Sequence, residues 1–164
     1  MSVWNDGSQL RAASLGGLVT KGPVTNPQTA SSALFTVTGG LVLITSLVGE
    51  VTTVQGATAN SFNLQFTKSG GSAADISAAT VCTSDAVGTL YTITGVAADL
   101  LSVQQVGGSE VPNVTFGVSG IGAGKGIIVP AGSLTLKASG NNTGATTWRL
   151  TYIPIDDGAA VVAA

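Results

Sequence analysis

The stretch "SFNLQFTKSGG", residues 61–71, puts a large apolar side chain at every second position. Phe62, Leu64 and Phe66 fall on one side of an extended chain, and Asn63, Gln65 and Thr67 on the other. A period of two belongs to a strand with one buried face, because successive side chains of an extended backbone point to opposite sides. The same alternation returns in "LFTVT", where Phe35 and Val37 share a face opposite Thr36 and Thr38. It returns again in "SLTLKAS", with Leu134, Leu136 and Ala138 together, and in "TWRLTYIPI", with Trp148, Leu150 and Tyr152 together. "TLYTITG", "LLSVQQVGG" and "VTFGVSG" are shorter candidates; Pro112 lies just before the last, where a strand start tolerates a missing donor.

Glycine and proline punctuate these runs. Gly39 and Gly40 between "LFTVT" and "LVLITSLV" predict a hairpin turn, and Gly49 predicts a bulge or bend within "LVGEVTT". Pro130 to Gly132 predicts a turn before "SLTLKAS". The Ala-rich segment 72–88 is compatible with a short helix or, through "ATVCTS", with a strand. Eight or more short strands and no long helical pattern predict an all-β fold, an antiparallel β-sandwich or jelly roll. No fixed internal repeat accompanies them, which argues against propellers and β-helices.

Residues 1–32 lack this alternation. "KGPVTNPQTASS" carries two prolines, and Trp4, Leu10, Leu15, Leu18 and Val19 follow no period. Such a segment is an extended N-terminal arm laid along a neighbour, with Trp4 as an anchor, or else a disordered tail. The organisation expected is therefore an arm over 1–32, a β domain over 33–155 and a small-residue C-terminal tail over 156–164.

Composition says how such a domain lives. Only 9% of the 164 residues are charged, against about 25% in ordinary soluble domains, so the surface must be made of Thr, Ser, Asn and Gln. A chain with so little charge repulsion is suited to an assembly, and a homo-oligomer is expected; a monomeric Thr-rich extracellular domain is the alternative. The six basic residues are scattered singly and the net charge is −2, which excludes the concentrated positive footprint of nucleic-acid binding. The apolar segment 33–53 is interrupted by Gly39, Gly40, Gly49 and several threonines, so it is no membrane helix. No basic stretch followed by an apolar run opens the chain, and synthesis in the cytoplasm is expected.

The residue types needed for catalysis are scarce. There is no histidine, which removes the commonest general base near neutral pH, the usual zinc ligand and any triad built on imidazole. No S-x-x-K spacing replaces it. Cys82 is the one cysteine and reads as a small buried hydrophobe. "GIGAGKG", 120–126, departs from the phosphate-loop pattern at Ser119 and Gly126 and precedes a β-like run, so it reads as a loop. Asp156 and Asp157 offer the oxygen ligands calcium favours, but a solvated end of the chain is the simpler reading. "NVT" at 113 and "NNT" at 141 match a glycan-acceptor pattern that a cytoplasmic chain would not use. No enzyme activity and no cofactor are expected.

Glu50 is a carboxylate in a strongly apolar region and must face solvent, pair with a cation or accept backbone donors. Arg149, the one charge in "TWRLTYIPI", is its expected partner, within the subunit or across a subunit boundary. Trp4, Glu50, Trp148 and Arg149 are thus the candidate structural or interface residues.

"LFTVTGGLVLITSLVGEVTT" and, far downstream, "GIIVPAGSLTLKASGNNTGATTWRLTYIPID" together resemble small structural proteins of tailed phages, among them head decoration (capsid cement) proteins. The resemblance spans residues 33–155. It implies a virion protein on the outer capsid surface, a trimer over local three-fold axes that touches the major capsid protein and no DNA. It assigns no site residues. A phage tail or fibre component and a carbohydrate-binding jelly roll are the other expectations; Trp148 and Tyr152 share a core-like periodicity, where a sugar binder would need exposed aromatic rings.

Overall fold

The structure, a computed structural model, describes residues 16–25, 31–93, 101–104 and 126–164; of residues 93 and 101–104 it describes the backbone only. Among the described residues there is no helix. Twelve strands form there: β1 (Gly17–Thr25), β2 (Ser31–Thr38), β3 (Val42–Thr53), β4 (Ser61–Lys68), β5 (Ala73–Asp75), β6 (Thr80–Val81), β7 (Leu90–Ile93), β8 (Leu101–Gln104), β9 (Ile127–Val129), β10 (Gly132–Ala138), β11 (Ala145–Pro154) and β12 (Ala160–Ala163). They make two antiparallel sheets. The first runs β1-β11-β3-β7-β8 with β9 also on β3, and the second runs β12-β2-β10-β4-β5 with β6 also on β4.

The alternating residues become the core. Phe35, Val37, Phe62, Leu64 and Phe66 are buried, as are Leu134, Leu136 and Ala138 from β10 and Trp148 and Leu150 from β11. Tyr152 is half-buried and packs against them. One apolar cluster joins residues of both sheets, the arrangement of a β-sandwich. Leu34 and Phe35 are adjacent yet both buried, because the pairing of β2 with β10 shifts register between Leu134 and Thr135 and passes over Leu34. An extra residue at a bulge lets consecutive side chains face one way.

Several expectations are corrected. Gly39 and Gly40 do make a turn with positive φ, but β2 and β3 do not pair: each lies in a different sheet. The turn is a crossover, held by close approach to the chain near its far end. A Cβ on Gly39 would lie 2.3 Å from the Gly158 carbonyl oxygen, and Leu41 N–H donates to Asp156 Oδ2 at 2.7 Å. Of the two readings open for segment 72–88 the structure takes the strand: β6, Thr80–Val81, lies within "ATVCTS", and β5, Ala73–Asp75, precedes it.

The boundaries of the β domain also widen. Residues 17–25, expected in the arm, form β1 and pair with β11 from Gly17↔Tyr152 to Thr25↔Ala145. Val19 and Val24 pack on the core, so burial draws this segment into the sheet. Pro23, with no N–H to give, sits at the register shift of this edge strand, where the loss costs least. Residues 160–163, expected in the tail, form β12 on β2, and Ala159 and Val161 are buried. Lys21 Nζ donates to the backbone oxygen of Ala164, tying one edge strand to the end of the other. Trp4, the "NVT" at 113, "VTFGVSG" and most of "GIGAGKG" lie outside the described residues.

Candidate interaction surface

Trp148 lies at the centre of the core, fully buried. Its ring stacks on Tyr91 with centroids 6.0 Å apart and planes 17° from parallel, and Tyr91 meets Phe62 edge-on at 5.6 Å. Gly49 is the strand residue between the two stacked rings, directly opposite both Trp148 and Tyr91 in the ladder. A Cβ there would lie 2.7–2.8 Å from three ring atoms of Trp148. Gly49 is therefore neither bulge nor bend, as the sequence suggested: it is the gap that admits the indole. The register shifts of β3 against β11 fall at Thr45 and Thr52 instead.

Polar groups gather at one end of this aromatic stack. Tyr91 Oη donates to Asp85 Oδ2 at 2.7 Å, and both residues are buried. Asn142 Oδ1 accepts from the backbone N–H of Gly56 and Gly144, and its Nδ2 lies 3.8 Å from Cys82 Sγ. Three loops are held together in this way by side chains that are themselves buried, which is a structural task. Burial, and then the Asp85 carboxylate, push the Cys82 thiol up to about 12 from 9.0. Burial, followed by the hydrogen bond to Asp85, also raises Tyr91.

Both groups hold their protons more tightly in the folded chain than in the unfolded one. Their contribution is thus complete below pH 9.0, where the unfolded thiol is protonated, and is lost as pH rises through the folded value of about 12. The urea midpoint is expected to fall between about pH 8 and about pH 11, with Cys82→Ala flattening part of that slope. A midpoint independent of pH over this interval, or rapid alkylation of Cys82 in the native protein at neutral pH, would contradict the assignment.

Glu50 and Arg149 meet as expected, within one chain. Arg149 Nη1 donates to Glu50 Oε2 at 2.7 Å on the outer face of the first sheet. The side chains are 43% and 40% exposed, so solvent screening keeps the pair under about 1 kcal/mol. It orders the surface locally.

Four residues further along β11, on the same face, the character changes. Ile153 of β11, Leu43 of β3 and Ile128 of β9 lie side by side in one cross-strand row. In the next row Ile155 N–H donates to the Leu41 carbonyl, and Leu18 flanks the group from β1. Ile128 is 61% exposed, Leu18 64%, Ile155 48%, Ile153 42% and Leu41 37%. Single exposed apolar residues are ordinary, but a contiguous group on a sheet face marks an interaction surface. The signal for it stood in the sequence: "LVLI", "IIV" and "IPI" abandon alternation, so residues between the buried ones are apolar too.

Among the described residues, no group of three or more Cys, Asp or Glu stands where it could hold a metal, and no helix is long and apolar enough to cross a membrane. No family model, no curated protein and no solved structure matches the chain.

Proposed function

We propose that this chain is a non-enzymatic structural protein of a tailed-phage virion that decorates and stabilises the outer capsid surface. It binds the major capsid protein lattice as a homo-oligomer, most simply a trimer. The observation that carries the reading is the apolar end of the first sheet, Leu18, Leu41, Ile128, Ile153 and Ile155 around Leu43. On a chain with 9% charged residues, such a patch is held in solution by little repulsion and gains from being covered. Each 100 Å² of apolar surface covered contributes about 2.5 kcal/mol, and repetition around a closed ring multiplies a modest contact.

The pairing pattern supports a jelly roll as the form of the sandwich. The early strands pair with the late ones, β1 and β3 with β11, β2 and β4 with β10, as in a long hairpin rolled into two sheets. Jelly rolls serve capsid and lectin domains alike, so the fold alone does not choose between them. The resemblance to phage structural proteins and the apolar patch favour the first.

Purified protein should co-sediment saturably with empty expanded shells. Ile128→Asp combined with Ile153→Asp should abolish this while leaving the melting temperature near that of the wild type, since neither side chain belongs to the buried core. Undiminished shell binding by the double variant would overturn the surface assignment, and no binding by the wild type would overturn the capsid role.

A further inference from the structure

The chain enters the first sheet at the rim of the apolar patch. Gly16 stands just before β1 with φ 88°, and a Cβ placed on it would lie 3.2 Å from Cγ1 of Ile153. A residue in the left-handed region breaks the line of an extended strand, so β1 is entered through a bend at this point. Residues 1–15 carry the apolar side chains of Val3, Trp4, Leu10 and Leu15, with Asp6 and Arg11 as their only charged ones. The patch runs from Leu18 on β1 to Ile128 on β9, three strand spacings or about 14 Å. Fifteen residues reach about 50 Å when extended, more than enough to cross it. At its rim Asp156 and Asp157 follow Ile155 directly, and neither forms an ion pair among the described residues.

We infer that residues 1–15 of the same chain lie over this patch in the free protein, with Trp4 and Leu10 as anchors and Arg11 toward Asp156 and Asp157. Attachment selects this occupant over a second copy. A short apolar segment that must order itself on a surface binds weakly, with a Kd of about 1 mM. Offered by another copy at micromolar concentration, it would leave the patch almost empty. Tethered at Gly16, beside Ile153, it is presented at an effective concentration on the order of millimolar or above and fills much of it. A patch covered in this way lets a chain with 9% charged residues carry it unassembled. The inference rests on the capsid reading in one respect: on a shell, the major capsid protein takes the place of this segment.

The chain has two tryptophans and Trp148 is fully buried, so acrylamide quenching of the free protein reads Trp4. In the wild type Trp4 should be shielded. Ile128→Asp combined with Ile153→Asp removes its seat without touching the buried core, and the Trp4 quenching constant should rise about fivefold. Trp4→Ser gives the converse in the ¹⁵N-labelled protein. The amide shifts of Leu41 and Ile128 should move, and those of Gln65 and Lys137 in the second sheet should not. Equal quenching in the wild type and the double variant, or unmoved Leu41 and Ile128 amides in Trp4→Ser, would each overturn the inference. So would shielding that disappears on about fiftyfold dilution, the behaviour of a segment supplied by a second copy. These measurements need no shell, so a failure of the wild type to bind shells counts against the capsid role alone.

Discussion

Replacing Trp148 by alanine is expected to be the most damaging single truncation, costing about 3–5 kcal/mol. The indole is the largest fully buried side chain, stacked on Tyr91, and Tyr91 is in turn wedged against Phe62. Removing it opens a void at the centre of the core, which the surrounding side chains can close only in part. For a domain of this size the loss corresponds to a fall in Tm of roughly 6–20 °C. Trp148→Phe should be milder than its lost volume suggests: the buried indole Nε1 has no hydrogen-bond partner among the described residues, and phenylalanine removes that unmet donor. Thermal and urea unfolding of the two variants check both statements. An unchanged midpoint for Trp148→Ala would mean that this face is not core.

Gly49→Val is the second large effect and comes from the opposite cause. Nothing in the local backbone demands glycine, since its φ is not among the positive ones. The demand comes from Trp148 across the ladder, whose six-membered ring occupies the place of a side chain. A branched side chain must push the indole from its stack, and overpacking of this kind costs about 1–3 kcal/mol or more. A double-mutant cycle makes the argument specific. Gly49→Val in a Trp148→Leu background should be much less costly than in the wild type, giving a coupling of about 1 kcal/mol or more. Strictly additive losses would show that Gly49 serves some other purpose.

These two residues show where sequence reading succeeds and where it stops. Trp148, Leu150 and Tyr152 were recognisable as one face because alternation is a local property that survives any choice of partner strand. Gly49 was misread because its reason lies on β11, about a hundred residues downstream, and no local pattern records which residue will sit opposite. The same limit explains Gly39 and Gly40. A glycine turn announces a change of direction, but whether the next strand pairs with the last or crosses to the other sheet is decided by β10, β11 and β12. Val19 and Val161 were left outside the domain because β1 and β12 are edge strands, each with a short or interrupted apolar pattern.

The candidate site was legible in part. Glu50 and Arg149 were paired correctly on charge scarcity alone, yet the pair contributes little and is a local surface feature. Ile128, Ile153 and Ile155 stand at outward positions of runs that abandon alternation, and such a residue looks like more core until the sheet is assembled around it.

Cryo-electron microscopy of the parent particle tests the central claim most directly. The account predicts density for this chain on the outer capsid lattice, with Ile128 and Ile153 turned toward a protein neighbour and covered. Density confined to the tail, or a capsid-bound chain with that patch facing solvent, would contradict it.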